Sequence, residues 1–160
     1  MMKFFIALPV LALFVFVAGC ENNPTESDVN GEFASIEASV HQQINSHRAS
    51  RGLGALAIAN VMVTQARIHS ANMAAGRTPL DHEGFEGRVA EIRKTISITG
   101  SGENVAFNAG FDDPATKAVQ DWLNSAGHRA NIEGDFNLTG IGVAKNDKGE
   151  YYFTQIFAKQ

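Results

Sequence analysis

The spacing of apolar residues predicts that the first half of the folded region is helical. Five residues mark one helical face at spacings of three and four: Phe33, Ile36, Val40, Ile44 and His47. This pattern predicts a first helix that begins at Phe33 and ends at the turn formed by Gly52 and Gly54. A second stripe has the same spacings and comprises Met62, Ala66, His69 and Met73. It predicts a helix that stops at Gly76, with His69 as a packed, hydrogen-bonded core residue.

Turn residues and capping residues define the next segments. The stretch RTPLDHEGFEG is rich in helix breakers and predicts a loop, followed by a short helical piece around Arg88 to Lys94. Asp113 and Pro114 are typical of an N-cap and of the first position of a helix. This third helix is predicted to end near residues 124–127. Its buried face is predicted to comprise Ala115, Ala118, Val119 and Trp122.

In the C-terminal part of the chain, the residue pattern changes from one typical of helices to one typical of strands. Residues from Leu138 to Ala144 and from Tyr151 to Ala158 are rich in β-branched and aromatic types, and they flank the turn-like stretch KNDKGE. We therefore predict an antiparallel hairpin. Helices first and strands last, without β-α-β alternation, indicate an α+β fold.

The N-terminus has the features of a lipoprotein signal. Lys3 supplies a positive charge, residues 4–17 are apolar, and two small residues precede Cys20, the single cysteine of the chain. The apolar run is shorter than the ~20 residues that a membrane span needs. We predict a signal peptide over residues 1–19, acylation of Cys20, and attachment to the membrane through its acyl chains. The polar residues 20–32 predict a flexible tether, which leaves residues 33–160 for the domain.

Composition and charge narrow the classes of function. Once Cys20 is acylated, no thiol remains for a disulfide, a metal site or a nucleophile. The formal net charge is −4 and no run of Lys and Arg is present, so we expect no nucleic acid partner. We expect a monomeric, extracytoplasmic protein of the cell envelope. Glu21 takes the place of the aspartate associated with inner-membrane retention, which favours the outer membrane if the source is Gram-negative.

Several motifs together resemble one known family. In order, the chain contains INSHRASRGL, DHEGF, GENVAF, AVQDWLNSAGHRANI and YYFTQIFAK. This series resembles the CAP superfamily (cysteine-rich secretory proteins, antigen 5 and pathogenesis-related 1 proteins), also called SCP-like, and especially its small bacterial branch without disulfides. The resemblance covers about residues 33–159. It implies an α-β-α sandwich, with a small antiparallel sheet between helical layers.

The resemblance also implies a cleft in which two histidines and two acidic residues converge. By position in the motifs, the histidines are His82 and His128, and one acidic residue is Glu103. The fourth position holds Ser125, so the acidic half is incomplete. His82 and His128 are the implied metal ligands, with zinc or another divalent ion as the candidate cofactor. With Glu103 they also form the candidate catalytic set.

A purely structural role is the alternative for the same residues. Glu103 could accept backbone N–H bonds and fix its loop, and His128 could interact with the end of the third helix. Spacing alone leaves both alternatives open, because the residues lie far apart in the chain.

Three functions remain in competition. The first is a lipid-anchored binding module that holds a small ligand, a metal ion or a peptide in the cleft. The second is a metal-dependent, peptidase-like hydrolase that uses His82, His128 and Glu103. The third is an envelope interaction module that uses an outer face and has no function in the cleft.

Overall fold

The structure is a computed structural model that describes residues 26–160, with side chains described from residue 31 onward. The predicted signal peptide, Cys20 and the first part of the predicted tether lie outside the described residues. The elements of the described part are, in order, α1 Glu26–Ser50, β1 Ala57–Ile58, α2 Asn60–Ala74, α3 Phe85–Arg93, β2 Gly100–Asn108, α4 Pro114–Asn124, α5 Ala126–Ile132, β3 Leu138–Lys145 and β4 Tyr151–Lys159. Among these helices, none combines the length and the apolar character that crossing a membrane requires.

The four strands of the described region form one mixed sheet. Their order is β1-β3-β4-β2. The predicted hairpin is present as β3 and β4, which are antiparallel, and β2 adds antiparallel to the outer side of β4. The two-residue strand β1 pairs in parallel with the start of β3.

Helices cover both faces of the sheet, which gives the α-β-α sandwich and the α+β class that were predicted. On one face, residues of α1 and α4 pack against Phe153 and Phe157 of β4. On the other face, α2 packs against β3 and β4 and shares a core cluster with Ile156 and Ala158. Successive residues of a strand point to opposite faces. Even-numbered β4 residues and odd-numbered β2 residues therefore lie on the α2 face.

Two features fix these layers, a buried tryptophan on one face of the sheet and two glycines on the other. Trp122 of α4 is fully buried, packs edge-on against Phe153 with ring centroids 6.5 Å apart, and donates a hydrogen bond from Nε1 to the carbonyl of Val105 at 2.9 Å. On the α2 face, Gly140 and Gly142 of β3 lie directly under the helix. A Cβ at either glycine would overlap the α2 backbone, at Met62 and Ala66 respectively. The absence of side chains lets α2 lie against the strand.

Arg48 ties the end of α1 to the connection between α5 and β3. It is 2 % exposed, and its guanidinium donates hydrogen bonds to four backbone carbonyls at 2.7–3.0 Å. These carbonyls belong to Gly54, Ile132, Gly134 and Phe136. The arginine therefore organises a turn that has no secondary structure of its own.

Helix ends agree with the sequence pattern at several points. Gly52 and Gly76 have φ of 72° and 66° just after α1 and α2, a conformation that glycine adopts readily. Asp113 caps α4 by accepting a hydrogen bond from the amide of Thr116 at 2.9 Å, and Pro114 is the first helical residue.

Three element predictions need correction. The first helix begins at Glu26 rather than Phe33, so residues 26–32 of the predicted tether are helical. In the order of the chain, strand β2 lies between α3 and α4, so the strands are not confined to the C-terminal part. Residues 126–132 form the helix α5, where the sequence predicted only the end of the third helix and a turn. Both faces of β2 are largely buried, so alternation is missing, and its sequence GSGENVAFN also lacks the β-branched and aromatic run that predicted β3 and β4.

Candidate functional site

Glu103 is the buried centre of the candidate site. It pairs with Ile156 across β2 and β4, and its side chain is 1 % exposed. The guanidinium of Arg88 on α3 binds it with two hydrogen bonds, from Nε to Oε2 at 2.9 Å and from Nη2 to Oε1 at 2.8 Å. This fork geometry is the strong form of an arginine-carboxylate pair. The pair neutralises the carboxylate inside the protein.

His82 lies at the open side of the same carboxylate. Its Nδ1 is 3.0 Å from Oε1 of Glu103, and its side chain is 51 % exposed. Because a carboxylate only accepts hydrogen bonds, the network assigns the proton to Nδ1. In the neutral ring Nε2 then carries a lone pair, which can accept a hydrogen bond or bind a metal.

A second histidine holds the loop that carries His82. His69 of α2 is 1 % exposed, and its Nε2 donates to the carbonyl of Asp81 at 3.0 Å. Burial is the main cause that lowers the pKa of His69. The interpretation of His69 as a packed, hydrogen-bonded core residue is confirmed. Its position also fixes the backbone directly before His82.

His128 lies on α5, which two asparagines attach to β2. Asn104 donates from Nδ2 to the carbonyl of His128 at 3.0 Å. Asn131 donates from Nδ2 to the carbonyl of Glu103 at 3.1 Å and to Oδ1 of Asn104 at 2.9 Å. The pKa of His128 is lowered, mainly by burial and secondly by the charge of His82.

The sequence-predicted residues meet in part. His82 and Glu103 are in direct contact, whereas His128 is joined to the site through its carbonyl and Asn104, the neighbour of Glu103 in β2. Ser125, at the fourth position, is the residue between α4 and α5, so no second carboxylate enters from there. Sequence analysis placed Arg88 in a short helix but gave it no role. The signal that could have identified it is chemical, since a buried carboxylate requires a cationic partner.

The donor set fits a metal ion only incompletely. Among residues 26–160, no group of three His, Cys, Asp or Glu side chains is arranged to hold a metal ion. Both oxygens of Glu103 already accept hydrogen bonds from Arg88. The imidazoles of His82 and His128 would be the protein donors, and two nitrogens make a weaker site than the three or four ligands typical of zinc.

Comparison with known proteins gives a consistent result. Residues 41–157 match the model of the family described as CAP, cysteine-rich secretory protein family. The protein YkwD of Bacillus subtilis (strain 168) is 30% identical over 145 residues, which are 89% of this chain and 54% of YkwD. This chain thus spans about half the length of that relative.

Solved structures show the same fold. An outer surface protein from Borrelia burgdorferi superposes with a TM-score of 0.68 at 21% identity, over 79% of this chain and 93% of that one. An extracellular protein containing a SCP domain from Bacillus anthracis gives a TM-score of 0.68 at 26% identity, over 88% of this chain and 45% of that one. The helices and the sheet therefore have the arrangement of known surface and extracellular proteins.

Proposed function

This chain belongs to the CAP family, the cysteine-rich secretory protein family, and we propose that it is an extracytoplasmic binding module whose cleft is formed by His82, Glu103 and His128. The ligand is a hydrogen-bond donor or a metal ion that meets the lone pair on Nε2 of His82. The known structures named for an outer surface protein and an extracellular protein support the location.

The proposal depends on one observation, the bidentate pair between Arg88 and Glu103. A carboxylate held in this way orients the imidazole that donates to it. Carboxylates do the same for metal-binding histidines when they accept a hydrogen bond from the ring nitrogen that does not bind the metal. Glu103 thus fixes the ring of His82 and directs Nε2 away from the protein. Arg88 and Glu103 together carry no net charge, so the site suits a polar neutral group or a metal bound by neutral nitrogens.

The same pair argues against the hydrolase. A general base must accept a proton from a water molecule that it contacts. To act as that base, Glu103 would have to give up hydrogen bonds to Arg88. Its side chain is also almost fully shielded from solvent. A second carboxylate that could replace it is missing at Ser125. Binding therefore agrees with the geometry better than turnover.

A calorimetric zinc titration tests the cleft. The chain is prepared without the predicted signal peptide and with Cys20→Ser, and it is compared with His82→Ala and His128→Ala. We expect saturable binding near one ion per chain that both variants lose. His47→Ala is the matched control, because this half-buried histidine pairs with Glu133 at 2.9 Å in a contact that does not include the cleft residues. It should bind like the wild type.

Two results would change the assignment. Absence of zinc binding by the folded wild type would remove the metal from the proposal. Zinc-dependent hydrolysis of a fluorogenic peptide mixture, lost in His128→Ala, would replace the binding module with the hydrolase.

We further propose that acyl chains on Cys20 hold the domain at a membrane surface. The apolar N-terminal run and the small residues before this single cysteine support the proposal. Metabolic labelling with an alkyne-bearing fatty acid should mark the wild type and leave Cys20→Ala unlabelled. The variant should also leave the membrane fraction. A labelled Cys20→Ala variant would contradict the proposed site.

A further inference from the structure

Helix α1 starts at the end of the sheet where the turn between β3 and β4 lies. The hydroxyl of Tyr151 donates to Oε1 of Glu32, and Nζ of Lys145 lies 3.5 Å from the same oxygen. Lys145 and Tyr151 are register partners on the two sides of that turn. From Glu32, the helix runs to Arg48 at the opposite end, near the start of β3. Its first residue, Glu26, therefore lies at the turn or beyond it, on the side away from Arg48.

The same end of the sheet carries two exposed aromatic side chains. Phe107, near the end of β2, is 40% exposed and packs against its register partner Tyr152, with ring centroids 5.2 Å apart. Phe111 is 48% exposed in the loop that follows β2 directly. This loop lies at the same end as the turn, because β2 ends where β4 begins. We call residues 107–113 and 146–152 together the turn end of the domain.

The proposed lipid anchor lies close to the turn end along the chain. Only residues 21–25 separate Cys20 from Glu26. An extended chain advances at most about 3.6 Å per residue, so these two residues lie no more than about 22 Å apart. The nine residues of β4 span about 27 Å, which exceeds that reach. Acyl chains on Cys20 would therefore exclude an orientation in which the opposite end of the sheet faces the lipid.

The charges of the turn end favour contact through the rings over attraction to anionic headgroups. Its two segments contain four carboxylates and one lysine, Lys148. Lys117, beside Phe111, is already ion-paired with Asp121 at 2.6 Å. Anionic lipids attract clusters of basic residues, and these segments contain no such cluster. Exposed phenylalanine rings instead gain from burial at the boundary between headgroups and acyl chains, where their apolar area leaves water.

We propose that the turn end of the anchored domain lies on the surface of a lipid bilayer, with the rings of Phe107 and Phe111 inserted at the level of the headgroups. The inference rests on the proposed acylation of Cys20, and it adds the partner that this end contacts. The short chain from Cys20 brings the turn end to the lipid, and the two rings hold it there. A phospholipid surface of neutral net charge is sufficient, because the contact is apolar.

This orientation keeps the cleft away from the bilayer. Glu103 pairs with Ile156, which lies five residues from Tyr151 along β4, a distance of about 17 Å. His82 reaches the same carboxylate from the loop before α3. The cleft is then open to water at some distance from the lipid, so its ligand arrives from the aqueous phase.

Paramagnetic broadening of amide signals in lipid nanodiscs tests the orientation. The isotope-labelled chain, without the predicted signal peptide, is coupled through the thiol of Cys20 to a maleimide-bearing phospholipid. The nanodiscs consist of phosphatidylcholine with a small share of a gadolinium-chelating lipid, which broadens the signals nearest the surface. We expect severalfold stronger broadening for residues 109–113 and 146–150 than for residues 133–137, at the opposite end. The amide of His82 should be intermediate.

Two variants test whether the rings hold the turn end on the lipid. The double variant Phe107→Ser, Phe111→Ser should lose the difference between the two ends while it remains coupled to the disc. Ile58→Ser is the matched control, because Ile58 is 44% exposed and pairs with Thr139 toward the opposite end. It should broaden like the wild type.

Three results would overturn the lipid contact. The first is uniform broadening in the wild type, and the second is a difference between the ends that survives the loss of both rings. The third is a difference that appears only after anionic phosphatidylglycerol replaces part of the phosphatidylcholine, because charge rather than the rings would then hold the domain.

The chemical coupling separates this inference from the proposed acylation. The maleimide supplies the lipid, so the amide broadening is measured whether or not cells acylate Cys20. Uniform broadening together with fatty-acid labelling of Cys20 overturns the contact and leaves the anchor in place. Stronger broadening at the turn end together with an unlabelled Cys20 supports the contact surface and removes the anchor proposed for cells.

Discussion

Arg88 is the residue that holds the buried carboxylate of the candidate site. Its side chain is 10% exposed and lies against a carboxylate that is 1% exposed. Removing one partner of such a pair leaves an uncompensated buried charge, so we expect Arg88→Met to lower the free energy of unfolding by about 3–5 kcal/mol. Urea denaturation checks the value.

Two further variants separate charge from geometry at this position. Arg88→Lys keeps the charge without the fork, and its loss should be smaller. The double variant Arg88→Met, Glu103→Leu removes both charges and should recover much of the stability. A single Arg88→Met variant as stable as the wild type would contradict this account of the pair.

The two imidazoles predict a pH response that can be read at single residues. The pKa of His128 is lowered, first by burial and second by the charge of His82. Histidine proton resonances should therefore show His128 titrating below the ordinary value near 6.5. In His82→Ala its pKa should rise, but only partly, because burial persists. An unchanged His128 titration in that variant would show that the rings do not interact.

The sign of the stability effect follows from the same shift. A histidine whose pKa is lower in the folded state binds more protons when the chain is unfolded. Its contribution to the free energy of unfolding is therefore fully present above the ordinary pKa and is lost as the pH falls through the folded-state pKa. The lowered pKa of buried His69 acts in the same direction. The free energy of unfolding should decrease as the pH falls from about 7, and less steeply in His128→Gln.

At the residue scale the sequence supplied the histidines and Glu103, and it did so through the motifs that resemble the CAP family. The role of Arg88 was not predicted, because its partner Glu103 is fifteen positions away and only the fold brings the two side chains together. The tautomer of His82 depends on that same contact. Sequence analysis can therefore propose which residues form a site more readily than it can assign what each of them does.

At the scale of elements, segments with a regular residue pattern were predictable and segments without one were not. Helix α4 follows its N-cap and apolar stripe, and the hairpin of β3 and β4 follows its β-branched and aromatic runs. Strand β2 contains two glycines and polar residues that are buried by α3, α4 and α5. Helix α5 is only seven residues long and depends on Asn104 and Asn131 for its position. Such elements owe their conformation to tertiary contacts.

Two glycines in different surroundings predict opposite effects of substitution by alanine. Gly142→Ala places a Cβ into the backbone of α2 at Ala66 and should destabilise the protein by roughly 3 kcal/mol or more. Gly87→Ala adds a Cβ in open space on α3 and should stabilise it by roughly 0.5–1 kcal/mol. Thermal denaturation of the two variants in parallel measures both changes. Equal stability of Gly142→Ala and the wild type would mean that α2 lies farther from the strand.

At the scale of the whole molecule, Arg48 connects segments that are distant in the chain. Three of its four hydrogen bonds join α1 to the end of α5 and the loop that follows it, and the fourth goes to Gly54 after α1. Arg48→Met would leave buried carbonyls without donors, and we expect a loss of at least about 3 kcal/mol. Arg48→Lys keeps the charge but cannot reach all four carbonyls, so it should recover only part of the loss.

Hydrogen exchange distinguishes a local effect of Arg48 from a general one. Amides in residues 126–136 should exchange faster in Arg48→Met at conditions where the sheet remains protected. Uniform acceleration over the described residues would indicate that the arginine stabilises the fold as a whole and has no particular effect on α5.

The coverage of β2 also bears on how copies of the protein behave when they are crowded. An edge strand with free carbonyls invites pairing with the edge of a second molecule, and proteins that avoid aggregation cover such edges. Here Trp122 and Asn131 occupy the carbonyls of Val105 and Glu103. Those two carbonyls offer no free acceptor to the strand of another molecule, so the residues that hold α4 and α5 against β2 also oppose pairing between the sheets of two copies.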